Sequence, residues 1–133
     1  MSNTCSETSH DITVAVMVEF LPEHSNPANH QYSWAYHITI TNHRQDEVQL
    51  IKRHWQIIDA RGNKEQVSGF GVVGEQPTIP PKGVYKYSSG CPLSTTSGMM
   101  FGHYQMIDSH SKMIMVTIPA FGLEIPNMKK NIH

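Results

Sequence analysis

The residues with the most chemical potential lie in the stretch 68–92, where Gly69, Gly71 and Gly74 form a G-x-G-x-x-G string. Glycines at this spacing let a backbone approach a pyrophosphate, and consecutive loop N–H groups can form an anion-binding nest. In a dinucleotide-binding unit the string follows a strand and opens a helix whose N-terminus faces the phosphates. Here Gly74 leads into Glu75, Gln76 and Pro77, with Pro80 and Pro81 close behind. Proline lacks the N–H that a helix needs and biases its predecessor toward extended backbone. A helix is therefore forbidden where the fingerprint requires one, and with no Gly-Lys-Ser/Thr following, a Walker-type loop is excluded as well. Two readings of the glycines stay open: positive-φ joints in a crossing between strands, or an anion nest. For the second, Arg53, Lys64 and Lys82 are the candidate cations that would neutralise a phosphate, pyrophosphate or nucleotide.

Nine histidines are the other chemical resource. Imidazole is a common ligand for first-row transition metals, which makes His54 and His103 candidates for a cobalt site. No two histidines stand at helical H-x-x-x-H spacing, and no Cys/His cluster has zinc-site spacing. Magnesium would call for a cluster of oxygen ligands that the sequence does not display. Polar positions scattered over strand faces and loops are the default reading of the histidines. Asp59, Glu65, Glu75 and His54 supply acids and bases, but no spacing ties them into a catalytic set, and G-x-S-x-G is absent. The expectation is a protein that is not an enzyme.

The elements that would position these residues all read as strands. Ile12, Val14, Val16, Val18 and Phe20 recur with period two, as do Tyr32, Trp34, Tyr36, Ile38 and Ile40. Residues 48–58 form a third strand, in which the adjacent Leu50 and Ile51 suggest a bulge that would turn Ile51, Trp55 and Ile57 inward. A turn at Gly62, a short strand 65–67, the glycine loop, and strands 84–88, 98–107 and 113–119 complete the pattern, with a short edge segment at 120–126. Met100, Tyr104, Met106, Ile114, Val116 and Ile118 are expected inside, and Trp34, Tyr36, Trp55 and Tyr104 as an aromatic cluster in the core or at one end of it. No segment carries helical periodicity over three turns. About seven short strands predict an all-β sandwich of two antiparallel sheets over residues 10–126, between a flexible tail at 1–9 and a second tail at 127–133.

At 133 residues the chain makes one domain, and a net charge of -1 offers no drive toward nucleic acid or an anionic membrane. No apolar run approaches the ~18 residues of a spanning helix. The first eight residues lack the basic start and apolar stretch of a signal peptide. Two cysteines, Cys5 and Cys91, do not make a disulfide framework. These features together point to the cytoplasm, with no membrane insertion.

Several blocks in order resemble the bacterial ApaG family. They are Tyr36 to Asn42, Val48 to Leu50, Arg53 to Asp59, Gly71 to Pro77, Tyr87 to Gly90, Gly98 to Met106 and Ile118 to Phe121. The resemblance runs from about residue 10 to residue 126 and implies a fibronectin-III-like or immunoglobulin-like sandwich. It further implies an indirect role in cobalt and magnesium efflux or tolerance, a glycine motif discussed as a pyrophosphate-binding element, and no catalytic residues. Similar domains in eukaryotic F-box and DNA-polymerase-interacting proteins look like protein-interaction modules, which implies a protein partner or a homo-oligomer here. Two positions depart from the family pattern. Phe70 replaces a charged or small residue, and Lys82 follows Pro81 where a Pro-Gly turn is commoner.

Overall fold

The computed structural model describes residues 3–126, and the expected tail at 127–133 lies outside them. The nine strands in chain order are β1 (Asn3–Ser9), β2 (Ile12–Phe20), β3 (Tyr32–Asn42), β4 (Val48–Asp59), β5 (Lys64–Phe70), β6 (Thr78–Ile79), β7 (Val84–Leu93), β8 (Gly98–Asp108) and β9 (Met113–Leu123). Single turns of 3-10 helix lie at Pro22–His24 and Pro27–Asn29. One antiparallel sheet has the order β1-β2-β3-β7. The other has the order β5-β4-β8-β9, with β6 also on β4. This is the two-sheet sandwich that the alternating patterns predict.

The period of two translates directly into burial. Ile12, Val14, Val16 and Val18 of β2 face Trp34, Tyr36, Ile38 and Ile40 of β3 in the core. The second sheet contributes Leu50, Trp55, Met100, Tyr104, Met106, Ile114, Val116 and Ile118. The polar tips of the buried aromatics are mostly satisfied. Trp34 Nε1 donates to the Glu124 carbonyl at 2.8 Å, and the Tyr87 and Tyr104 hydroxyls share a hydrogen bond of 2.5 Å.

Four expectations are corrected. Residues 3–9, expected as part of a tail, form β1, which pairs with β2 through a hairpin whose tip residues His10 and Asp11 both have positive φ (52° and 60°). That turn needs two left-handed residues. With no glycine there and only polar residues before it, the hairpin left no alternating signal. The count rises from about seven strands to nine because β1 and the two-residue β6, hidden among prolines, are added. In β4 the register does shift between Leu50 and Lys52, but the buried residues are Val48, Leu50 and Trp55; Ile57 packs partly buried against the core, while Ile51 is half-buried and does not. Ile51 is itself the extra residue of the bulge, so the inward set resumes at Arg53 rather than at Ile51. The segment 120–126 is no separate edge strand either, since β9 continues to Leu123 across a second shift opposite Met100 and Gly102.

The two long sides of the sandwich differ. On one side β1 meets β9, where Thr117 N donates to Ser9 Oγ at 3.0 Å and the Cys5 thiol approaches the Ala120 carbonyl. On the other side the edges are β7 in the first sheet and β5 with β6 in the second. The chain crosses between them through Pro80, Pro81, Lys82 and Gly83. Fully buried Asn42 pins this crossing: its Nδ2 reaches the carbonyls of Asp46, Ile79 and Pro80, and its Oδ1 accepts from Arg44 N.

Candidate functional site

The glycine loop is an excursion from the edge lane beside β4. β5 pairs with β4 from Ile58↔Lys64 to Lys52↔Phe70, and β6 resumes alongside at Gln49↔Thr78 and Val48↔Ile79. Between them, Gly71 N donates to Ile51 O at 2.8 Å and Leu50 N to Pro77 O at 3.0 Å, so both feet of the loop stay on β4 opposite its bulge. The tip is a tight reversal in which Val72 and Glu75 exchange N–H···O bonds of 2.8 and 2.9 Å. Its two central residues, Val73 (φ 42°) and Gly74 (φ 84°), are left-handed. The three glycines thus have separate causes. A Cβ on Gly71, at φ 68°, would lie 2.1 Å from Glu75 O. Gly74 supplies a positive φ in open space. Gly69 makes room for the Arg53 guanidinium, since a Cβ there would sit 2.9 Å from Nη1.

Arg53 is the candidate cation that the fold brings to the loop. Its Nη1 donates to the carbonyls of Gly71 (2.9 Å) and Phe70 (3.4 Å). Lys64 sits opposite Ile58, five positions along β5 from Gly69, a separation of roughly 16 Å in extended chain. Lys82, itself left-handed at φ 64°, donates its ammonium to the His43 carbonyl on the β3–β4 turn. Within the loop, the N–H groups of Gly71, Val72 and Glu75 are consumed by main-chain carbonyls. Those of Val73 and Gly74 have no protein acceptor among the described residues.

Arg53 also lies where two adjoining cavities of the open side meet. One, of about 180 Å³, is walled by the loop residues Val72, Val73 and Gly74. The other, of about 260 Å³, runs on past Trp55 and Val67 to Glu65, Cys91 and Pro92. Both include Tyr36, Arg53 and Ser89, which makes them one groove between β4–β5 and β7. The Tyr85 hydroxyl donates to Glu75 Oε1 at 2.9 Å and ties β7 to the loop. Burial raises the hydroxyls of Tyr36, Tyr87 and Tyr104 above the usual phenol range while Arg53 opposes the rise, so the arginine faces neutral tyrosines. Burial, with Glu65 adding to it, pushes the Cys91 thiol up to about 11.

The two candidate metal ligands also meet. His54 and His103 are register partners across β4 and β8, on the outer face of the second sheet, with stacked rings 5.1 Å between centroids. His54 Nδ1 shares a 2.5 Å hydrogen bond with Ser68 Oγ. Partial burial and the neighbouring His54 both lower the basicity of His103. No carboxylate or thiol joins the pair among the described residues. The three-residue cluster of possible ligand atoms lies elsewhere, at Asp46, Asp108 and His110. There Arg44 already occupies the carboxylates, at 2.8 Å from Asp46 and 3.5 Å from Asp108.

One constellation escaped the sequence reading. On the outer face of the first sheet, His37 Nδ1 lies 2.6 Å from Ser88 Oγ and its Nε2 lies 2.8 Å from Glu19 Oε1. The order matches that of a hydrolase relay. It rests on an open strand face, with the N–H groups of β2 and β3 engaged in the ladders. Only the register, which puts Ser88 opposite His37, would have exposed it.

An ApaG domain model matches residues 22–108. Protein ApaG of Brucella anthropi is 48% identical over 122 residues, covering 92% of this chain and 94% of that one. Protein ApaG of Sinorhizobium fredii is 45% identical over 125 residues, covering 94% and 96%. The crystal structure of the putative ApaA protein from Bordetella pertussis superposes with a TM-score of 0.85 at 40% identity, covering 87% of this chain and 94% of that one.

Proposed function

This chain belongs to the ApaG family, and we propose that within it the chain is a non-enzymatic binding module. It acts in the cytoplasm on a protein partner and serves cobalt and magnesium tolerance indirectly. The observation that carries this reading is the asymmetry of the sandwich: β1 and β9 close one side, while the other leaves a groove between β5 and β7. The apolar side chain of Val73, more than half exposed, stands on its wall. No helix of the described residues is long and apolar enough to cross a membrane. In this reading the cation link works through a partner and not through the His54–His103 pair, which offers two imidazoles beside Lys52 and no carboxylate or thiol among the described residues.

The test is complementation of a strain that lacks the gene, scored for growth in cobalt, with cobalt titrated into the purified protein alongside. The His54→Ala/His103→Ala double variant is expected to restore tolerance as fully as the parent. Saturable cobalt binding that the double variant loses together with tolerance would overturn the indirect role.

A second reading, phosphate binding at the loop, is favoured by the acceptor-free N–H groups of Val73 and Gly74 beside Arg53. Pyrophosphate titrated against the 15N-labelled protein is expected to move these two amides if they hold an anion. Unmoved amides would remove this reading.

A further inference from the structure

We infer that the β5–β7 groove receives an extended segment of a partner protein, which adds to the edge of β7 and places an acidic side chain on Arg53. The inference rests on the interaction-module reading and names its mode of recognition.

Three observations define what the groove lacks. The first is the arginine. A guanidinium carries five N–H donors, and only Nη1 has acceptors, both of them loop carbonyls. Arg53 takes part in no ion pair among the described residues. The second is Trp55, which is 2% exposed and lines the same groove. Its Nε1–H is the one buried side-chain donor or acceptor among the described residues with no partner. A buried indole N–H without an acceptor costs free energy and leaves a polar deficit in the wall of the groove. Arg53 calls for a negative acceptor oxygen.

The third observation is the edge itself. Asn42 N donates to Gly83 O, so that pair is hydrogen-bonded, and the register without bulges carries the alternation up β7. Tyr85, Tyr87, Ser89 and Cys91 therefore bond to β3, while the N–H and C=O groups of Ser88 and Gly90 point away from the sheet. These four main-chain groups lie along the open edge of β7, where Gly90 lines the groove, and have no partner among the described residues. Among the described residues no strand of the first sheet lies beyond β7, and on β5 Glu65 is exposed and Val67 half-buried.

A strand added to β7 would bond to Ser88 and Gly90 and direct alternate side chains inward over β4 and β5. Arg53 selects a carboxylate, and Trp55 and Val67 take apolar neighbours two residues away. Glu65 at the far end repels further negative charge, which favours one isolated acidic residue over an acidic run or a phosphate dianion.

The probe is the acetylated, amidated heptapeptide Thr-Val-Thr-Glu-Thr-Val-Thr, titrated against the 15N-labelled protein. Saturable shifts are expected at the Ser88 and Gly90 amides and at the Trp55 indole N–H. The peptide with glutamine in place of glutamate should bind about tenfold or more weakly, as should Arg53→Gln with the parent peptide. Methylating the main-chain nitrogens of the probe should abolish binding, while acetate alone should move only the groups near Arg53. Equal affinity for the glutamate and glutamine peptides, shifts confined to the outer sheet faces, or silence at millimolar peptide would each overturn the proposal. The cobalt assay of the His54/His103 variant reads the module hypothesis independently, so failure of the groove and failure of the module are separable.

Discussion

A methyl group on Gly71 would sit 2.1 Å from the Glu75 carbonyl oxygen, whereas one on Gly69 would meet only the Arg53 guanidinium, 2.9 Å away at the end of a flexible side chain. Gly71→Ala, which also keeps a left-handed residue without glycine, is expected to cost roughly 2–4 kcal/mol in urea unfolding. Gly69→Ala should cost under about 1 kcal/mol yet displace Arg53, so its mark is weaker groove binding on an intact fold. Val73 is a β-branched residue held at φ 42° in an exposed position. Val73→Asn relieves that conformation and is expected to stabilise by roughly 0.5–1 kcal/mol. His103 gives the pH dependence. Its folded pKa lies below the unfolded value, so the unfolded chain binds more protons and stability falls as pH drops below about 6.5 toward the folded pKa. His103→Gln should flatten that part of a plot of urea midpoint against pH, and an unchanged slope would remove His103 as its source. The spacing of the glycines was legible in the sequence; their separate causes were not, because two of them depend on Arg53 and Glu75 arriving from other strands or across the turn.

At the level of elements, period-two patterning revealed β2, β3, β8 and β9 because each has one buried and one more open face. β1 and β6 were illegible for opposite reasons: β1 is polar and mostly exposed, and β6 is two residues long between prolines. The bulge in β4 was visible as Leu50-Ile51, but not which of the pair it would expel, since that follows from how Pro77 and Gly71 bond to β4. Asn42 was read only as a turn residue, yet it ties the β3–β4 turn to the crossing between sheets. Asn42→Ala removes four hydrogen bonds at a fully buried site and is expected to cost about 2–4 kcal/mol, measured as a lowered denaturant midpoint at unchanged m-value.

For the whole molecule, two sheets with one sealed and one open long side explain why the sequence disclosed the fold better than the site. Core residues repeat along single strands, whereas the groove assembles Tyr36, Arg53, Glu65 and Ser89 from four strands. The same packing governs thiol chemistry. At pH 8 a Cys91 thiol pushed up to about 11 is about one-thousandth thiolate, so it should resist modification by an aromatic disulfide until the protein is unfolded. Prompt reaction of two thiols in the native protein would contradict that environment. The lane shared by β5 and β6 has a different consequence. Both feet of the glycine loop hold to β4 on their own hydrogen bonds, so the length of chain between Val72 and Glu75 is uncoupled from the pairing of every strand. A sequence spliced in at Val73 would lengthen the wall of the groove without moving its floor, which makes this turn the natural port for a genetically encoded reporter of occupancy.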